Sequence, residues 1–181
     1  RPLTLEAWYE ASEIIKSGSG FLLLDNYMWV EFTEAGGWRI VTRDGKSGYI
    51  RSTLKGKQIT GRPVHFAVEF DGTTFRAFVD GRERKLVHTR LSQSSGKWQE
   101  MPVSGEITLI PMKGKLKSVL GIHPVTGKQA MFRGRLIAVR YSLGVRYSED
   151  FKPARQFEAD ESTLVLYHID EGQGDVLHDS S

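Results

Sequence analysis

The chain has 181 residues, of which 39% are hydrophobic, 26% charged and 10% aromatic, with a formal net charge of +3 and no cysteine. Those proportions exclude disordered, collagen-like and coiled-coil chains and suffice for one domain with its own core. The lack of cysteine excludes a disulfide framework, a thiolate nucleophile and a Cys-based zinc or iron–sulfur site.

The net charge hides an asymmetry. Residues 1–146 hold 23 Lys+Arg against 13 Asp+Glu, whereas residues 147–181 hold 2 against 9. A basic body could attract nucleic acid or acidic polysaccharide, but the basic residues are scattered through strands and turns rather than gathered in one arm, so a solvated surface is expected and no nucleic-acid partner. No stretch reaches the roughly 18 apolar residues of a membrane span, so no membrane insertion is expected. The chain opens at Arg1 without a methionine or signal-like region. It therefore reads as a segment of a larger precursor with adjoining domains.

Short alternating runs between turn residues dominate the pattern. Leu3, Leu5 and Ala7 alternate with Thr4, Glu6 and Trp8, the period of a half-buried strand. Residues 21–32 (FLLLDNYMWVEF) carry two apolar runs around Asp25-Asn26, which predicts a hairpin or a bulged strand. WRIVTR and SGYIRS then flank Asp44-Gly45, and Asp-Gly between alternating runs signals a hairpin because both positions tolerate positive φ. Residues 63–83 (PVHFAVEFDGTTFRAFVDGRE) predict a three-strand meander with turns at Asp71-Gly72 and Asp80-Gly81. Further strands are expected at GEITLIP (105–111), SVLGIH (118–123) and RLIAVRYS (135–142). The polar stretch 87–105 reads as a long loop, and only 10–16 and 148–151 suggest a turn or two of helix. Residues 153–163 read as a linker, because 153–162 (PARQFEADES) combine a proline with three acids. Turn signals every 8–12 or so residues favour a sandwich or barrel.

Four stretches in the family's order, LGIHP (120–124) among them, and a fifth out of order resemble the laminin-G-like, concanavalin A-like jelly-roll domains of bacterial surface and secreted proteins. LTLEAWY (3–9) is similar to that family's early strand, and 63–83 to its strand, Asp-Gly turn and second strand. FRGRLIAVRYS (132–142) resembles a later segment, with Ile137 and Ala138 replacing the family's Asp-Glu pair. LVLYHIDEGQGDVLHDSS (164–181) resembles a segment that usually opens such a domain, although here it closes the chain. The implied fold is all-β, an antiparallel two-sheet β-sandwich of concanavalin A-like jelly-roll type. It would comprise a domain over 1–152 and a terminal strand segment over 164–181 that either folds back or opens a following repeat. The resemblance also implies an extracytoplasmic, cell-surface or secreted, location.

Some proteins of that fold are glycosidases, and retaining enzymes need two carboxyl groups about 5–5.5 Å apart. The Glu-x-Asp-x-x-Glu strand of the related glucanases is absent; the nearest run, Glu158-Ala-Asp160-Glu161, lies in the linker-like stretch. No Gly-x-Ser-x-Gly elbow, Walker A loop or paired-histidine zinc motif occurs. His65 and His168 sit in strand patterns and read as sheet residues. An enzyme is therefore not expected.

Calcium is the ion the oxygen-rich loops would suit, with Asp25, Asp170 and Asp179 as candidate ligands. The competing role of each is turn chemistry. For a saccharide, whose apolar face stacks on aromatic rings, Trp38 and Trp98 are the candidate exposed rings, joined by Tyr27 and Asn26 as ligand contacts. Tyr27 and Trp29 share one face of their strand and Met28 and Val30 the other, with core placement favoured for Trp8 and Trp29. The expected function is a non-catalytic binding or adhesion module, carbohydrate being the expected ligand. A spacer or protein-binding domain without sugar affinity is the alternative.

Overall fold

Period-two alternation and turn chemistry produce strands throughout the chain. The computed structural model describes all residues except 15–19, 25–27, 34–36, 45–47, 55, 95–96, 104, 111–119 and 124–126. Fourteen strands and no helix occur among the described residues. They form two six-stranded sheets and a two-stranded ribbon, and every pairing is antiparallel. The fold class is thus the expected one: all-β, with the two antiparallel sheets of a β-sandwich. Among the described residues no helix is long and apolar enough to cross a membrane, which says nothing of a β-barrel.

The strands divide between two compact units. Unit 1 comprises residues 1–13, 59–84 and 134–181. Its sheet contains β1 (Leu3–Ala11), β6 (Val64–Phe70), β7 (Phe75–Val79), β8 (Arg82–Arg84), β13 (Gly134–Leu143) and β14 (Thr163–Tyr167). Their order is β14-β13-β1-β6-β7-β8. Leu5, Val68, Ala77 and Tyr141 lie opposite one another across four strands, as the alternating pattern requires. The 63–83 meander is present, and its Asp80-Gly81 turn has φ of 51° and 73°. Both central residues are therefore left-handed, the geometry of the two-residue hairpin loop that matches strand twist. Strand β14 pairs with β13 from Val139↔Tyr167 to Ser142↔Thr163, with a register shift between Tyr141 and Ser142, so Thr163–Tyr167 lies on this sheet.

Strand β6 is buried at all seven positions. One face of its sheet carries the expected apolar residues. The other face, with His65, Ala67 and Glu69, is covered by residues 145–160. Phe157 anchors that cover at 2% exposure, although the stretch around it has the composition of a linker and forms no strand.

Unit 2 comprises residues 14–58 and 85–133. Its sheet runs β10-β9-β5-β4-β3-β2. The strands are β2 (Gly20–Leu24), β3 (Met28–Phe32), β4 (Trp38–Asp44), β5 (Gly48–Leu54), β9 (Leu86–Ser94) and β10 (Lys97–Pro102), with β11 (Ile122–His123) and β12 (Gly127–Met131) as the separate ribbon. Two expectations are corrected here. The polar stretch 87–105 contains the β9–β10 hairpin rather than a long loop. Its polar residues belong to β9 and to the edge strand β10, whose residues 99–102 are exposed. The run 105–111 is not a strand over 105–110; Ile107 is buried as a single apolar plug from a loop. The short helical turns expected at 10–16 and 148–151 are absent among the described residues, and Glu10 and Ala11 belong to β1.

Candidate functional site

In unit 2 the alternation separates a core face from a polar face. Met28, Val30, Phe32, Ile40, Ile50 and Leu54 are each at most 4% exposed. The opposite face is built of three cross-strand rows. Glu31 lies opposite Arg39, which lies opposite Thr53. Trp29 faces Val41, Arg51 and Thr89 in turn. Arg43 faces Tyr49, which faces Leu91, itself opposite Glu100.

The floor of this face is apolar. Trp29 and Val41 form a buried pair, and the partly buried Tyr49 packs on it. The Trp29 and Tyr49 rings meet edge to face, 5.7 Å between centroids and 70° between planes, an arrangement aromatic quadrupoles favour. Trp29 Nε1 donates to Glu31 Oε2 at 3.0 Å, and Arg39 Nε donates to Glu31 Oε1 at 2.6 Å. Glu31 therefore fixes the indole and one guanidinium together. Thr89 Oγ1 donates to Glu100 Oε1 at 2.6 Å. Tyr49, Arg43, Arg51, Thr53, Thr89 and Leu91 are all intermediate in exposure. A ring held by a buried neighbour and ringed by polar groups is a preorganised contact surface.

Unit 1 holds a second constellation whose residue types invite a catalytic reading. Glu6 accepts from His65 Nε2 at 3.0 Å, from Arg140 Nε and Nη2 at 2.8 Å each, and from the Tyr147 hydroxyl at 2.7 Å. Glu6 is 1% exposed and His65 0%. The rings of Trp8, Tyr147, Phe151 and Phe157 enclose the imidazole at centroid distances of 5.2–6.5 Å. A carboxylate that is sealed from solvent and already accepts four donor hydrogens cannot reach a substrate. Its role is to hold residues 145–160 on the sheet, as Arg140 does by donating to Glu158 O and lying 4.8 Å over the Phe157 ring. Glu69 continues the clasp, accepting from Thr4 Oγ1 and from the backbone N–H groups of Arg146 and Tyr147. Arg146 pairs with Asp160 beyond it.

Burial pushes the Glu6 carboxyl up, but the His65 hydrogen bond and the Arg140 charge more than reverse this, so it lies below its ordinary value of 4.5. A depressed carboxylate stabilises the fold fully above its unfolded value and ceases to as pH falls. Glu69 acts in the opposite sense, since burial raises it. Because Glu6 is the more deeply buried and carries charged partners, the expected net result is a melting temperature that drops between about pH 5 and pH 3. A Glu6→Gln protein should show a flatter profile over that range in thermal scans. An identical slope in both proteins would assign the acid sensitivity elsewhere.

Of the residues expected from sequence, Trp38, Asp170 and Asp179 are described in full. Trp38, expected as an exposed loop ring, lies on β4 at 2% exposure, tilted against Phe32 at 6.2 Å. The preceding Gly36-Gly37 resembles a loop, but the alternation of β4 sends Trp38 to the core face with Ile40. Trp98 is on strand β10 opposite Gln93 rather than in a loop, and its side chain lies outside the described part. Asp25, Asn26 and Tyr27 also lie outside the described residues. Asp170 is exposed. Asp179 Oδ1 accepts from the backbone N–H groups of Leu166 and Ser181, which clips the chain end to β14. Among the described residues no group of three or more His, Asp or Glu could hold a metal ion. Sequence reasoning missed Arg39, Arg43 and Arg51. Their signal was present in WRIVTR and SGYIRS, where each arginine takes the strand parity opposite to Ile40 or Ile50.

Comparison with known proteins gives a likeness of fold. A candidate carbohydrate-binding protein from Bacteroides ovatus matches with a TM-score of 0.65 at 15% identity. The match covers 99% of this chain and 49% of that one, so the chain spans about half the length of its neighbour. No family model matches the chain, and no curated protein does.

Proposed function

We propose that the chain is a non-catalytic carbohydrate-binding or adhesion module of a larger extracytoplasmic protein, built on a laminin-G-like, concanavalin A-like jelly roll. The polar face of unit 2 is its binding surface. One observation carries this reading. Tyr49 stands partly exposed on a buried Trp29–Val41 floor, among side chains that donate and accept hydrogen bonds. Sugars present an apolar C–H face and a rim of hydroxyls, and the surface offers the complement of both. The neighbour's candidate role in carbohydrate binding supports the same class of ligand.

A glycan array of the intact chain, with thermal melting as the folding control, tests the proposal. The wild-type protein is expected to bind a defined set of glycans. Tyr49→Ala should weaken that binding by roughly tenfold or more, the scale of losing a central aromatic contact, while melting within a few degrees of wild type. Full retention of glycan signal in the Tyr49→Ala protein would place the site elsewhere. An array blank for the wild type would favour a spacer or a protein-binding domain.

A further inference from the structure

We infer that the ligand of this face is an anionic saccharide, whose carboxylate or sulfate is taken by Arg51 and Arg43. This rests on the reading of the same face as a saccharide site. Tyr49 is bracketed by the two guanidinium-bearing residues: Arg43 is its direct partner across β4–β5, and Arg51 follows it by two on β5, on the same face. Both arginines are partly buried, and neither makes a hydrogen bond or ion pair within the described residues. Arg39, by contrast, is engaged by Glu31.

A partly desolvated guanidinium without a partner is costly, because water is removed and no acceptor replaces it. Burial and the nearby Arg39 charge both act against the cation of Arg51, only partly offset by Glu31 and Glu100. An arriving oxyanion supplies the missing acceptor, and the planar fork of arginine suits a carboxylate or sulfate in bidentate geometry. The Tyr49 ring between the two forks would take the sugar's apolar face. Long-range charge favours the same ligand. Unit 2 holds 15 Lys+Arg against 6 Asp+Glu, a net of +9, whereas unit 1 holds 10 against 16, a net of −6. The unit bearing the Tyr49 face is thus the basic one by sequence, and such a field raises the encounter rate of polyanions.

The test is binding of the intact chain to polygalacturonate, dextran sulfate, neutral dextran and a duplex DNA oligonucleotide at about 0.15 M salt, where distant charges are largely screened. The neutral glycans of the array run beside them. Wild type is expected to bind at least one acidic polysaccharide at least about tenfold more tightly than any neutral glycan or the DNA. Arg51→Gln and Arg43→Gln should each lose roughly tenfold or more, and Arg51→Lys should recover only part. Preference for polygalacturonate would assign the carboxylate, and preference for dextran sulfate the sulfate. Neutral glycans bound as tightly, with Arg51→Gln unchanged, would overturn the inference and leave the saccharide site standing. DNA bound as well as the acidic polysaccharides would overturn it in favour of an unspecific basic surface. No binding to any saccharide would overturn both readings.

Discussion

Replacing Glu6 with alanine is expected to destabilise the protein by about 3–5 kcal/mol, the cost of removing one member of a buried ion pair. The charge itself is not what makes the cluster stable. Glu6 has been taken out of water, at 1% exposure, and only the donors of His65, Arg140 and Tyr147 offset that desolvation. Without the carboxylate, Arg140 and the Tyr147 hydroxyl remain under the cover of residues 145–160 with no acceptor for those hydrogens. A chain of this length loses roughly 2–4 °C of melting temperature per kcal/mol, so a drop of about 6–20 °C is expected. Double substitution separates the pair from packing. Glu6→Ala combined with Arg140→Met should cost less than the two single changes added, because the orphaned charge is gone. Additive losses would mean that Glu6 and Arg140 are energetically independent and that the clasp is merely geometric.

How much of this was legible in the sequence follows from the range of the interactions. The 63–83 meander was legible because its signals are local: Phe66, Val68 and Phe70 alternate, and Asp80-Gly81 supplies a turn that needs positive φ. The cover over the sheet of unit 1 was not, because its partners are distant in sequence. Glu6 meets Arg140 and Tyr147 across 134 and 141 positions, and nothing local announces such a pairing. Residues 153–162 have a linker's composition for the same reason. Asp160 is matched to Arg146 outside the stretch, and one apolar residue, Phe157, is buried beneath it. Trp38 failed in a different way. Its glycine neighbours suggested a loop, and its strand parity was the better guide. The candidate face of unit 2 was less legible: Trp29 was expected in the core, and Tyr49 and the arginines beside it acquire meaning only when register places Arg43 across from Tyr49.

Gly81→Ala is the second large effect expected, and Gly172 provides an internal control. The two glycines have nearly the same backbone, with φ of 73° and 71°. An L-residue in this left-handed region costs about 1–2 kcal/mol by itself. At Gly172 a Cβ would enter open space, its nearest neighbour being Asp170 O at 4.0 Å. At Gly81 it would fall well inside van der Waals contact with Phe151 O and 2.8 Å from Pro153 Cδ. Neither obstacle is a flexible side-chain end, so no rotamer change relieves the clash. The segment must lift, and with it go the bond from Phe151 N–H to Gly81 O at 2.8 Å and that from Glu83 N–H to Asp150 Oδ1 at 2.8 Å. Losing two such bonds adds roughly 1–3 kcal/mol to the strain. Gly172→Ala should therefore cost about 1–2 kcal/mol and Gly81→Ala about 3 kcal/mol or more. Urea unfolding measures both. Limited proteolysis then localises the difference, since only the Gly81→Ala protein should become open to cleavage within residues 145–160. Equal losses and an equally resistant segment in the two variants would show that residues 145–160 do not rest on the Asp80-Gly81 turn.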